Sequence, residues 1–160
     1  MNKDDYKEIT KKCIESGMIK IHFTLNQKKG PAGESVWAYQ TGDTLAKIAN
    51  IPVFAPDVSS HDIVEFEQND SFIKEFVRIV EKSTNKFFIR YQTGDNSDDE
   101  TTLSNFNELR NFVLNKSWHI EGTVPGFCMI AAPISVNTMI FEREFFDAPH
   151  VLEFYDEYEE

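Results

Sequence analysis

The stretch from Val36 to Phe66, VWAYQTGDTLAKIANIPVFAPDVSSHDIVEF, decides the fold. A short apolar run around Trp37 leads into Thr41-Gly42-Asp43, a tight turn signal. A second run, from Leu45 to Asn50, then meets Pro52, which has no N–H to give to a strand ladder. The chain therefore leaves its sheet near Ile51, with Val53 and Phe54 expected as an apolar plug. From Ile63 to Glu67, Val64 and Phe66 alternate with Glu65 and Glu67, the period of a half-buried strand.

Upstream, Ile19, Ile21, Phe23 and Leu25 alternate with Lys20, His22 and Thr24, giving a strand over Ile19 to Leu25. Downstream, Asn69-Asp70 signals a turn and Phe72 to Glu81 a fifth strand. Five short strands without an intervening helix predict a small, closed or half-closed β-barrel. Before them, Asp4 to Ser16 reads as a short helix, with Tyr6, Ile9, Cys13 and Ile14 at helical spacing and Gly17 as its stop.

After about Lys86 the rhythm changes. Phe87 to Gln92 is a strand, and TGDNSDDE (93–100) an acidic loop. A helix capped by Thr101 or Thr102 runs to about Asn115, burying Leu103, Phe106, Leu109 and Val113. Trp118 to Gly122 and the apolar Phe127 to Ala132 flank a Val124-Pro125-Gly126 turn. A second helix, capped by Ser135, runs to about Phe146, and Val151 to Glu157 is a last strand. The order β-α-β-β-α-β is the split, ferredoxin-like plan. The expected fold class is thus α+β with antiparallel sheets. A helical arm (1–18) precedes a small N-terminal β-barrel-like lobe (19–84) and a ferredoxin-like lobe (85–160).

Trp37-Ala38, Asn50-Ile51-Pro52-Val53-Phe54-Ala55 and Asp62-Ile63-Val64, followed by a strand carrying Val77 and Val80, resemble the DUF4265 family of bacterial proteins of unknown function. The strand-turn-strand from Trp118 to Pro133, the helix after it and the acidic aromatic tail extend the resemblance over roughly residues 19–158. The arm before it lies outside the pattern, and the tail is richer in Phe and acid. The resemblance implies a fold and a bacterial origin, and no activity.

Composition narrows function more than motifs do. Net charge is −11, from 16 basic and 27 acidic residues, with 14 Phe among 160 residues. Residues 1–30 carry +3, whereas Glu144 to Glu160 hold seven acids and no Lys or Arg. Such a balance disfavours nucleic-acid binding, which neutralises phosphates with basic side chains. It favours a basic protein partner. No apolar run approaches the roughly 20 residues of a membrane span, and the N-terminus lacks a signal-peptide core. A cytoplasmic protein without membrane association is expected.

Chemical signatures are sparse. No Gly-x-Ser-x-Gly, His-Glu-x-x-His, Walker or Gly-x-Gly-x-x-Gly pattern occurs. His22, His61, His119 and His150 stand at no metal-ligand spacing, and Cys13 and Cys128 form no disulfide framework. His61-Asp62 resembles an acid–base pair, against the plainer reading of a solvated His61 and an Asp62 bonded to a backbone turn. Cys128 and His119 form a conceivable nucleophile–base pair across a hairpin, but Cys128 falls in an apolar strand, where thiols are inert. The carboxylates at 95–100 lack calcium-loop spacing. No catalytic residue, metal or cofactor is expected.

Two functional readings follow. The first is a non-catalytic, acidic protein-binding module, most concretely an immunity protein or inhibitor that neutralises a basic bacterial toxin or nuclease. Its partner-binding residues are Asp95, Asp98, Asp99 and Glu100, then Glu153, Asp156, Glu157, Glu159 and Glu160, with Tyr155 and Tyr158 as aromatic anchors. The alternative is a small-molecule-binding or enzymatic module with its site in an interlobe cleft near Trp37, His61 and Asp62.

Overall fold

The computed structural model describes residues 3–25, 30–55, 57–94 and 100–155. The protein is α+β. Among the described residues, three helices and nine strands follow in the order α1 (Lys3–Glu15), β1 (Met18–Thr24), β2 (Gly33–Gln40), β3 (Leu45–Ile48), β4 (Ile63–Phe66), β5 (Ile73–Glu81), β6 (Thr84–Tyr91), α2 (Glu100–Asn115), β7 (His119–Val124), β8 (Phe127–Pro133), α3 (Thr138–Phe145) and β9 (Val151–Tyr155). The chain divides into two compact units, Met1–Ala55 with Ser60–Lys82, and Pro56–Ser59 with Ser83–Glu160.

In the first unit, β1 to β5 form a closed ring. Each consecutive pair is antiparallel, but the closing pair, β1 with β5, is parallel from Lys20↔Ile73 to His22↔Glu75. The antiparallel sheets expected from the sequence are found, and this closing pair is the exception that the parity of the strands imposes. In an up-and-down meander of five strands the first and last run the same way, so the pair that closes the ring must be parallel.

The alternation read in the sequence sets the inside of the ring. Ile21, Phe23, Val36, Ala38, Ala46, Ile48, Val64 and Phe66 are buried, and the Phe23 and Phe76 rings meet at 4.8 Å. Strand β5 carries two register shifts against β4, from Ile63↔Glu81 to Val64↔Ile79 and from Glu65↔Arg78 to Phe66↔Phe76. Val80 and Val77 are the extra residues, and both point largely to solvent. Such bulges bend and twist a strand, which a ring this small requires.

The 49–55 segment behaves differently from the apolar plug expected. Phe54 is 37% exposed, whereas Ile51 and Ala55 are buried. The reason is polar. Glu34 continues the inward series of Val36 and Ala38, and its carboxylate accepts the N–H groups of Val53 (2.8 Å), Phe54 (2.8 Å) and Ala55 (2.9 Å). Ala49 N donates to Trp37 O, and Asn50 Oδ1 accepts the Trp37 N–H at 2.8 Å. The Asn50 side chain thus extends the β2–β3 ladder one step beyond the last strand residue.

The second unit holds a four-stranded antiparallel sheet in the order β7-β8-β6-β9. β8 lies between β6 and β7, and the connection through α2 skips over it, as in a split βαβ unit. One face carries Phe87, Ile89, Cys128, Ile130 and Ile120 against Leu109 and Val113 of α2 and Phe141 and Phe145 of α3. Phe141 stacks on Phe87 at 3.8 Å and on Phe145 at 4.2 Å, and Trp118 stacks against both helical rings.

Three sequence expectations change here. α2 begins at Glu100, so Thr101 and Thr102 lie inside it, and the Thr102 hydroxyl accepts from Gly94 N instead of capping. Leu103 is 61% exposed, and the buried positions of α2 are Thr102, Asn105, Leu109 and Val113. Asn105 earns its burial by donating to Gln92 O. The cap of α3 is Asn137, whose Oδ1 accepts from Ile140 N at 3.0 Å, rather than Ser135.

Candidate functional site

Of the residues predicted to bind a partner, Asp95, Asp98, Asp99, Asp156, Glu157, Tyr158, Glu159 and Glu160 lie outside the described residues. Glu100 is exposed in the first turn of α2. Glu153 and Tyr155 lie on β9, which pairs antiparallel with β6 from Tyr91↔Val151 to Phe88↔Tyr155. Gly94 follows one end of this strand pair and Tyr155 closes the other. Phe88 and Tyr91, opposite Tyr155 and Val151, are three strand steps or roughly 10 Å apart.

Glu153 is engaged within the chain. Arg90 grips it through Nε (2.9 Å) and through a terminal guanidinium nitrogen (2.9 Å), and the Tyr155 hydroxyl donates to it at 2.6 Å. These bonds hold its carboxyl below the usual Glu range, the Arg90 hydrogen bond most and the Tyr155 bond next. The same contact raises the Tyr155 phenol. Glu153 thus positions Tyr155, whose ring remains 43% exposed.

The groups proposed for chemistry have structural duties. Asp62 is fully buried and pairs with Lys82, a partner twenty positions away, at 3.2 Å. His61, exposed with φ of 72°, donates its backbone N–H to Ile48 O. The Trp37 ring meets Phe72 edge-on, and the Lys20 ammonium lies 4.9 Å from it. Cys128 pairs with Gly122 across the hairpin, and His119 pairs with Ala131. Alternation therefore puts Cys128 and His119 on opposite faces of the sheet. Burial pushes the Cys128 thiol up to about 12. His119 instead contacts Glu121 at 3.2 Å. Among the described residues, no group of His, Cys, Asp and Glu is arranged to hold a metal ion.

The surface that sequence reasoning missed lies between α3 and β9. A groove of about 620 Å³ is lined by Glu142, Phe146, Ala148, Leu152 and Phe154, with Glu153 and Tyr155 at its edge. Phe146 is 87% exposed and Leu152 52%. Two-residue alternation in the sequence puts Phe154 on one strand face with Leu152. The register shift between Arg90↔Glu153 and Tyr91↔Val151 leaves it without a partner on β6. A signal for Phe146 was present in the sequence: adjacent Phe145 and Phe146 on one helix cannot share a face, so one must turn outward.

Fold and surface together define an α+β protein with a five-stranded ring, a split βαββαβ sheet and an acidic, partly apolar face. The chain belongs to DUF4265, a domain of unknown function, whose sequence profile matches residues 34–138. The matched span is shorter at both ends than the resemblance suggested. A hypothetical protein from Neisseria gonorrhoeae has a similar structure, with a TM-score of 0.56 at 16% identity over 88% of this chain and 92% of that one. That likeness concerns the fold. No curated protein matches the chain. Among the described residues, no helix is long and apolar enough to cross a membrane.

Proposed function

We propose that the protein is an acidic, non-catalytic protein-binding module, in its most concrete form an immunity protein or inhibitor that neutralises a basic bacterial toxin or nuclease. We read its two units as a small barrel-like lobe and a ferredoxin-like lobe, the second of which carries a charged surface. The observation that carries the reading is the charge distribution. A net charge of −11 is concentrated toward the C-terminal end, where seven acids occur without one Lys or Arg, next to exposed Phe146, Leu152 and Tyr155. An acidic surface steers a basic partner into encounter, and apolar anchors slow its departure. The buried Asp62 and Cys128, which catalysis would otherwise recruit, support the reading, because one balances Lys82 and the other sits protonated in the core.

The test is a pull-down from the native organism with tagged protein at low and high salt. A basic protein retained at low salt, released at high salt and rebinding as a purified species is the expected result. Aspartate-to-lysine reversals at 95, 98 and 99 that left its affinity unchanged, together with reversals in the tail that did the same, would refute the reading. A co-purifying small molecule in place of a protein would favour the alternative centred on Trp37, His61 and Asp62.

A further inference from the structure

Acidity alone does not say which surface meets the partner. We propose that the groove between α3 and β9 is the docking surface, and that its occupant is a basic polypeptide that inserts an apolar side chain flanked by Lys or Arg. This deepens the acidic-binder reading and rests on it.

Four observations converge on the groove. First, Met139, Glu142 and Phe146 share the outward face of α3, and Met139 is 71% and Phe146 87% exposed. A phenylalanine this open on an ordered helix has the size and shape of an interface anchor. Second, Leu152, at the register shift of β9, is 52% exposed and lines the groove. Third, Glu142 lines the groove and Asp147 follows Phe146 in the chain, both are exposed, and among the described residues no cation lies within ion-pair distance of either. Their charge is available to a partner, whereas that of Glu153 is already balanced. Fourth, the surrounding sequence from Glu144 to Glu160 adds no Lys or Arg.

The same features narrow the occupant. A nucleic acid would meet carboxylates with phosphates. A second copy docking face to face would bring two of the most acidic ends of a −11 chain together, which is repulsive. Strand addition to β9 is hindered by the register shift at Leu152, which breaks the regular row of edge groups that an added strand would need. A basic segment docking through side chains meets neither objection.

The experiment uses the full chain, isotope-labelled for amide NMR, and two synthetic peptides. One carries a central Leu and Phe flanked by Lys and Arg, and the other has Ser in place of both apolar residues. The expected result is that the first peptide shifts amides of residues 139–155 and binds about tenfold or more tightly than the second. Phe146→Ser and Leu152→Ser, both at exposed positions, should each weaken the first peptide by a similar factor and leave the unbound spectrum dispersed. A Glu142→Lys/Asp147→Lys double variant should flatten the salt dependence.

Shifts confined to another surface, with affinity indifferent to Phe146→Ser, would overturn the groove and leave the acidic-binder reading standing. Failure of both peptides, together with a pull-down that retains no basic protein, would overturn both. A dimer seen by light scattering that Phe146→Ser dissolves would overturn the basic occupant in favour of a second copy.

Discussion

Replacing Glu34 tests whether the phrase from Asn50 to Ala55 is a structural latch. Glu34→Ala removes the acceptor of three backbone N–H groups, at 2.8, 2.8 and 2.9 Å. The Phe54 bond is exposed, so water can replace the carboxylate there at little cost. The Val53 and Ala55 bonds are partly buried, and each orphaned donor there costs about 1 kcal/mol. The sum is roughly 2 kcal/mol, which for a urea slope of about 1–2 kcal/mol/M lowers the unfolding midpoint by about 1–2 M. Glu34→Gln keeps an oxygen for two of the donors but turns its NH₂ toward the third. It should cost about half as much. The two tryptophans make the assay specific, because Trp37 lies in the ring and Trp118 in the second unit. Urea unfolding followed by Trp37 fluorescence in a Trp118→Phe background reports on the ring. An unchanged midpoint in Glu34→Ala would refute the latch, and so would a Gln variant as unstable as the Ala variant.

Other outcomes follow from the second unit. Phe141→Ala should destabilise it by about 3–5 kcal/mol, since Phe141 is fully buried among stacked rings, and the loss should register in Trp118 fluorescence. In the native protein a thiol reagent in mildly alkaline buffer should modify Cys13 and spare Cys128, whose thiol stays protonated to about 12; denaturation should release the second equivalent. The Glu153 carboxyl should titrate below an ordinary glutamate, and Arg90→Gln should return it upward in a carboxyl-detected NMR titration. Because the folded value is depressed, the stability Glu153 contributes is present above the unfolded glutamate value of 4.5 and fades as pH falls through the folded one. Arg90→Gln should reduce that acid-side dependence, leaving the part that the Tyr155 bond supplies.

The features that resembled the family turn out to hold the fold together. Asn50 prolongs a ladder, Asp62 balances Lys82, and Val77 and Val80 are the surplus residues of two bulges that bend β5. Recognising those phrases therefore located an architecture. The proposed docking surface depends on residues outside them, chiefly Phe146 and Leu152, which lie beyond the matched span of 34–138.

Local periodicity, by itself, determined most of the elements. Two-residue alternation in Ile19 to Leu25 and Ile63 to Glu67 places apolar groups on one side of a strand whatever the strand pairs with. The apolar run at Phe127 marks a strand covered on both faces for a similarly local reason, as do the turns at Gly42 and Gly126. Partnerships between residues far apart were decided only by tertiary structure. Nothing near Glu34 announces that its carboxylate will meet the backbone twenty positions on, and nothing near Asp62 points to Lys82. Whether Leu152 faces inward depends on a single-residue slip against β6, and whether His119 can reach Cys128 depends on the register of β7 against β8. Register, ring closure and ion pairing are set by which segments become neighbours. A sequence read along one dimension carries the preferences of each segment, and the energy that fixes their partners arises when they pack.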